Sequence, residues 1–407
     1  MIFNSLSLPF RHVLNGFALI TSFFWKHDNT WIFLDRDSHA DDNAEHLYRY
    51  VREKYPELNI YFLLRKKSHD WARLKKDGFR LIPFGSLRHM LLMFRAKHLV
   101  SSHADNYVFN FPPQNWFGKL LKYHYTFLQH GVIKDDLSSW LNKKPIDLFI
   151  TTTEQEYNSI AREDSNYKFT SKEVRLTGLA RHDELLEKAQ SHTKSNGKKT
   201  LLIMPTWRQN LVGKTEWMSN NRSENDAFYS SQYAQSWKQF LHSDSLKELV
   251  STHDLNVVFF PHANMAPYLG WFDAPSYIHS VTHHAGKSIQ DFFVEASMML
   301  TDYSSVAFEI AFLEKPVMYY QFDSEQVFGG EHLTEKGYFD YHKDGFGPVC
   351  ETEKGTLLEL EKILNNNCEL EDKYLSRATK TFKFKDGKCC QRIYEAILDL
   401  DKPDENL

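Results

Sequence analysis

At 407 residues, with 49 Lys and Arg against 53 Asp and Glu, the chain carries a formal charge of −4. That balance excludes bulk attraction to nucleic acid, and the length suits two domains better than one core. The 31 Phe, 20 Tyr and 9 Trp supply cores and surfaces that meet sugars, bases or lipid, while Cys350, Cys368, Cys389 and Cys390 have no C-x-x-C spacing and fit a reducing compartment.

No cleavable signal opens the sequence and no run of 18 apolar residues occurs, so neither export by a signal peptide nor a membrane span is expected. Within residues 1–26, Leu6, Phe10, Val13, Leu14, Phe17, Ile20 and Phe24 recur at helical spacing. This fits a helix packed on its own domain, or an amphipathic membrane-associating one. The basic stretch from Arg65 to Lys97 reads as a solvated face that would also suit an anionic membrane or a polyanionic acceptor.

From Thr30 apolar strands alternate with amphipathic helices and no hairpin signal intervenes, which predicts a doubly wound parallel α/β sheet. Strands are expected at 31–34, 60–64, 81–83, 98–101, 125–128, 148–152 and 174–176. The polar segment 190–199 reads as a linker. It divides an N-terminal Rossmann-like domain (27–190) from a C-terminal one (198–407) that ends in helices. In the second domain strands are expected at 200–204, 256–260, 277–280, 298–301 and 317–320. Ser288 with Asp291 has capping-box spacing, and the insertion 209–254 is expected to form a mobile loop or small subdomain over the site.

The chain is organised around 298–323, read as strand, Ser-rich turn, helix and strand. Ser304 and Ser305 after Asp302 offer hydroxyls and unpaired backbone N–H groups to an anion, or simply cap the helix 306–314. His130, Thr177, Arg208, His262 and the cluster 302–305 all follow expected strands. In two facing parallel sheets such positions line one interdomain cleft. Arg208 offers a planar fork for phosphate oxygens. A histidine can take a proton from an alcohol near neutral pH. Gly131 and Pro261 sharpen the turns beside the two histidines. Asp302 suits orienting a histidine or bonding a ribose, and as a turn residue it has a structural reading too. Asp35, Asp37, Asp41 and Asp42 lack the glycine and terminal glutamate of a calcium loop and read as a solvated turn and helix N-terminus rather than a metal site. No Walker, nucleophile-elbow or zinc-peptidase motif occurs.

Together LQHG (128–131), TGLARHDEL (177–185), MPTWR (204–208), FFPH (259–262), LTDYSSVAFEIAFLEKPVMYY (300–320) and DGKCCQR (386–392) resemble the CDP-glycerol glycerophosphotransferase family, which builds teichoic acids and related capsule polymers. Gln129 and Ala263 stand where that family commonly has Trp and Pro. The resemblance implies a GT-B-like pair of Rossmann-type domains, 27–190 on the acceptor side and 198–407 binding the CDP donor. It also implies transfer of glycerol phosphate, or another polyol phosphate, from a CDP-polyol to a lipid-linked or polymeric polyol or saccharide acceptor, with CMP leaving. It casts His130 as the base and His262 as the group that stabilises the donor phosphates or protonates the leaving group. Arg208, Ser304 and Ser305 would hold the pyrophosphate, with Thr301 and Asp302 supporting the loop and Thr206 and Gly178 beside it. No cofactor or metal belongs to this picture, and no nucleic acid; the expected setting is the cytoplasmic face of the bacterial membrane. A GT-B glycosyltransferase using a nucleotide sugar and an inactive membrane-associated assembly subunit are the alternatives.

Overall fold

A computed structural model of the protein describes residues 29–192, 198–213, 223–282, 287–331 and 335–403. The helix expected within residues 1–26 and the middle of the expected linker lie outside them.

Strand β1 (Thr30–Leu34) is buried along its whole length. Trp31 and Phe33 enter one apolar cluster and Ile32 and Leu34 another, so both faces of the strand are covered, as a parallel sheet requires. In chain order the first domain continues with α1 (Asn43–Lys54), β2 (Asn59–Leu64), α2 (Asp70–Lys76), β3 (Leu81–Pro83), α3 (Leu87–Met93) and β4 (Ala96–Ser101). It then runs through β5 (His124–Phe127), β6 (Leu148–Thr151), α4 (Glu154–Ala161), β7 (Val174–Leu176) and α5 (Arg181–Ser191). The second domain comprises β8 (Thr200–Met204), α6 (Gln232–Leu241), α7 (Asp244–Thr252), β9 (Asn256–Phe259), β10 (Ile278–Ser280), α8 (Ile289–Glu295) and β11 (Met298–Thr301). After these come α9 (Ala307–Phe312), β12 (Val317–Tyr320), β13 (Val349–Cys350), α10 (Glu353–Asn365), α11 (Asp372–Thr381) and α12 (Cys389–Asp399).

The seven-stranded sheet has the order β3-β2-β1-β4-β5-β6-β7 and the six-stranded sheet β10-β9-β8-β11-β12-β13. Strand order reverses between β1 and β4 in the first and between β8 and β11 in the second, which places a ligand crevice at each of those carboxyl ends. Val132 and Leu185 of the first domain join the cluster of Phe308 and Phe312 in the second, so apolar packing unites the two. Ser288 and Asp291 form the expected capping box at α8.

Two expectations change. The insertion 209–254 is not mainly a loop over the site: α6 and α7 bury Tyr233, Trp237, Phe240 and Leu246 in the second core, and only residues 214–222 within it lie outside the described structure. The tail is not wholly part of the second domain either. Helix α12 returns to the first, packing Cys390, Ile393 and Ile397 with Trp31 and Tyr48, and its first two N–H groups are held by the Asp183 carboxylate of α5 at 2.9 and 2.8 Å. Gly178, with φ +83°, leaves the room this needs: a Cβ there would lie 2.5 Å from Cys389 Sγ.

Candidate functional site

The first wall of the cleft forms where β1, β4 and β5 end. Asp42 is the N-cap of α1 and accepts from Asn43 N–H at 2.8 Å. Asp35 lies beneath the same helix start, accepting from Ala44 N–H at 2.9 Å and from the Ser102 hydroxyl. Burial, reinforced by the charge of Asp42, pushes its carboxyl up to about 8. The run read as a solvated turn is thus mostly buried: Asp35, Asp37 and Asp42 are all shielded, each serving the loop or the helix start.

Asp42 also does what sequence reasoning missed. Its Oδ2 accepts from His130 Nδ1, while its Oδ1 accepts from Arg181 Nη1 at 2.6 Å. Burial opposes ionisation of Asp42, but the charges of His130 and Arg181 outweigh it and hold the carboxyl well below the usual range. With Nδ1–H committed to a carboxylate, the neutral His130 ring carries its lone pair on Nε2. The side chain is 56% exposed, so this lone pair is open to a substrate. The residues just before the two partners, Asp41 and Gln129, have φ of 71° and 66°, the left-handed strain that concentrates at functional sites. Glu156 fixes the loop from behind, accepting from Ile133 N–H and Thr152 N–H, each at 2.6 Å. Burial raises its carboxyl to about 7.

His103 stands 4.7 Å from His130, ring centre to ring centre, and accepts from Arg36 Nε at 3.3 Å. Burial, then Arg36 and His130, keep its imidazole well below the usual range. Asp42, His103 and His130 offer ligand atoms within 4.8 Å of one another, close enough to share an ion. Arg36 and Arg181 already occupy this group, and two guanidiniums beside it disfavour a divalent cation.

The second wall differs from the sequence expectation. Arg208 does not reach into the cleft: its side chain is 4% exposed and bridges Asp302 Oδ2 at 2.8 Å and Asp323 Oδ2 at 2.9 Å, with Nη1 on the Thr206 carbonyl at 2.9 Å. Burial opposes the charge, yet Asp302 and Asp323 hold the guanidinium above its ordinary value. The rings of Tyr233 and Tyr303 lie 4.8 and 5.0 Å from the guanidinium carbon. The fork is therefore spent on carboxylates and not available to phosphate. Asp302 orients neither a histidine nor a ribose. It is fully buried, accepting from Thr206 N–H at 2.8 Å and Tyr303 N–H at 2.6 Å. Thr301 donates to the Met204 carbonyl at 2.7 Å and ties β11 to β8.

What this scaffold presents is the turn itself. Ser304 and Ser305 are half-buried, and neither caps α9, whose N-cap position is Val306 with no side-chain bond. Among the described residues the Ser304 hydroxyl is engaged by a long contact, 3.4 Å from Val306 N–H. Ser305 Oγ faces Gly131 so closely that a Cβ on that glycine would lie 2.7 Å away. The His130 loop and the serine turn therefore meet across the domain boundary. His262 follows buried Pro261 and accepts from Asn264 N–H through Nδ1 at 3.1 Å, so its neutral ring carries a proton on Nε2. Its ring lies 5.9 Å from that of Trp207, next to Arg208. In their neutral forms the two rings would therefore carry the proton on different nitrogens, His130 on Nδ1 and His262 on Nε2. Thr177 is buried and bonds the neighbouring Gly178 carbonyl, so it belongs to the α5 turn.

A family model described as CDP-Glycerol:Poly(glycerophosphate) glycerophosphotransferase matches residues 17–399. Over 91% of the chain, the sequence is 36% identical to the minor teichoic acid biosynthesis protein GgaB of Bacillus subtilis (strain 168), covering 40% of that protein. It is 21% identical to the teichoic acid glycerol-phosphate transferase of Staphylococcus aureus (strain NCTC 8325 / PS 47), over 88% of the chain and 89% of the relative. The chain spans less than half the length of GgaB and of a Bacillus subtilis teichoic acid poly(glycerol phosphate) polymerase, at 40% and 46%. Among solved structures, the wall teichoic acid polymerase TagF matches with a TM-score of 0.65 at 16% identity, over 94% of this chain and 92% of that one. That likeness is one of fold.

Proposed function

The chain belongs to the CDP-glycerol:poly(glycerophosphate) glycerophosphotransferase family, and from that premise we propose that its cleft transfers a polyol phosphate from a CDP-linked donor to an acceptor hydroxyl. The observation that carries this reading is His130, held through Nδ1 by the buried Asp42 carboxylate, on a loop that meets the serine turn across the domain boundary, with His262 at the end of β9 in the second sheet. His130 Nε2 takes the proton of the acceptor hydroxyl as the oxygen attacks the phosphorus that bears the polyol. The bond from that phosphorus to the bridging oxygen breaks, and CMP leaves. His262 Nε2–H bonds the oxygen on which charge develops. Ser304, Ser305 and the backbone of their turn cradle the diphosphate, while Arg208, Asp302 and Asp323 act behind them as the frame that fixes the turn. An in-line displacement at phosphorus asks mainly for positioning and charge stabilisation, which these groups supply.

The acceptor is a polyol or saccharide chain, lipid-linked or polymeric, and the setting is the cytoplasmic membrane surface in teichoic acid or capsule assembly. No helix among the described residues is long and apolar enough to cross a membrane.

The test is nucleotide release by the purified protein, given CDP-glycerol, CDP-ribitol or a panel of nucleotide sugars, with membrane lipid extract or a short polyol-phosphate oligomer as acceptor. CMP released only from a CDP-polyol is the expected result and identifies the donor. A nucleoside diphosphate released from a nucleotide sugar would make the protein a glycosyltransferase and overturn the histidine assignments.

A further inference from the structure

One guanidinium touches both walls of the cleft. Arg181 opens α5 and is buried. Its Nη1 donates to Asp42 Oδ1 and to the backbone carbonyl of His130, each at 2.6 Å. Its Nε donates to Glu309 Oε1 at 3.0 Å, and Nη2 donates to the same oxygen. The Arg181 N–H is held by Asn43 Oδ1 at 3.1 Å, and Asn43 Nδ2 in turn holds the Gln129 carbonyl at 2.8 Å. Asp42, the His130 carbonyl and, through Asn43, the Gln129 carbonyl therefore all lead back to Arg181. Glu309 is in the first turn of α9, the short helix that follows directly from the Ser304–Ser305 turn.

Packing does not require this bridge. The boundary around it is apolar, with Val132 and Leu185 against Phe308 and Phe312, and His182 stacks on Phe312 at 4.3 Å. Glu309 is fully buried, and its Oε2 has no hydrogen-bond partner among the described residues. Burying a guanidinium and a carboxylate costs desolvation that apolar side chains of similar volume would avoid. What charge supplies and grease does not is direction: a fork that bonds only when its partners stand in one register.

We propose that Arg181 is a positioning residue which, anchored by Glu309, sets the His130 ring through Asp42 and the His130 carbonyl, so that the base is aligned only when the helix behind the serine turn is seated against the first domain. The proposal rests on the reading of His130 as the base. Displacing α9 takes Glu309 from Arg181, and the guanidinium that holds His130 loses its second anchor.

The test uses the full chain with Glu309→Gln and Arg181→Lys, each checked by thermal melting. The CDP-polyol assay gives kcat and KM, and histidine-selective 15N NMR without substrate, assigned by His130→Gln, reads the His130 imidazole. The expected result for both variants is a kcat lowered on the order of tenfold to a hundredfold, as for a misplaced reacting group, with donor KM within about twofold. The His130 ring resonances move in Glu309→Gln, although Glu309 lies in the other domain, and move the same way in Asp42→Asn. Unmoved resonances in a folded Glu309→Gln or Arg181→Lys protein overturn the proposal, as does an unchanged kcat. The NMR arm needs no substrate. A protein inactive toward every CDP-polyol whose resonances still move would keep the linkage and overturn the proposed function instead.

Discussion

Where the first sheet ends, the ionic network leaves its histidine outside: Asp42 and Arg181 are buried while His130 is 56% exposed. Where the second sheet ends, the cation is shut inside, with Arg208 at 4% and its partners Asp302 and Asp323 at 0% and 3% exposed. Both walls bury charge at a strand end, and both compensate it with opposite charge. The first wall uses burial to aim a group that stays in solvent. The second uses it to stiffen a turn whose only offerings are two hydroxyls and a backbone. A strand-end position therefore says that a residue is near the ligand, and only its partners say whether it is free to act.

The sharpest way to break this contrast is to remove the central residue of each wall. His130→Ala is expected to lower turnover by about 10²–10⁴-fold, the usual worth of a general base, with only a small fall in melting temperature because Arg181 still pairs the buried Asp42 carboxylate. Arg208→Met is expected to cost about 3–5 kcal/mol of stability, because two buried carboxylates lose their cation. CMP release and urea titration on both variants check the pair. An Arg208 variant that stays fully stable yet loses turnover would make Arg208 a ligand and erase the distinction.

A smaller effect probes the seam between the walls. Gly131→Ala places a methyl group 2.7 Å from Ser305 Oγ, and the serine must turn or the two loops must part. Turnover is expected to fall roughly tenfold through misplacement of His130 against the turn. The double variant Gly131→Ala with Ser305→Gly should recover the packing but not the lost hydroxyl. If Gly131→Ala alone turns over at the parent rate, the two loops do not need their close approach.

Much of the fold was readable because burial on both faces forces continuous apolar runs: strands β3, β7, β8, β11 and β12 occur where the sequence placed them. Strand β13, two residues long, carries no pattern to find, and α6 escaped notice because its buried Tyr233, Trp237 and Phe240 are separated by polar residues beside a Ser- and Asn-rich stretch. The neighbourhood of the site was readable for a related reason, since strand ends in parallel sheets converge. The partners were not. Asp42 is 88 positions from His130, and Asp323 is 115 from Arg208, so no local spacing announces either pair. A run of acids beside a helix start looks the same in sequence whether it is solvated or buried. The one available hint was Asp42 itself, a carboxylate placed after β1 on the side where His130 follows β5.

The smallest expected effect lies on the rim, where the first wall meets the second at Asp41. Its carboxylate accepts from Ile289 N–H at 3.1 Å and from the Ser288 hydroxyl at 3.2 Å, so it caps α8 from across the domain boundary. Burial raises it to about 6, against the lowering effect of His46 and Arg73, while Glu45 adds to the rise. Because this folded value exceeds the ordinary 3.8, the native state binds the proton more tightly than the unfolded chain does. The associated stability is complete below about pH 4 and is lost as pH rises through about 6. Asp41→Asn keeps an oxygen for Ile289 N–H and removes the titration. The variant is therefore expected to gain on the parent as pH rises from 4 to 7. A quarter of the side chain still reaches solvent, which limits the gain to about 1 kcal/mol. Urea titrations of both proteins at pH 4.5 and 7 measure it. A difference that stays constant across that range would mean Asp41 is held as a carboxylate throughout, and the rim would then follow the plan of the inner wall, with charge fully compensated rather than merely tolerated.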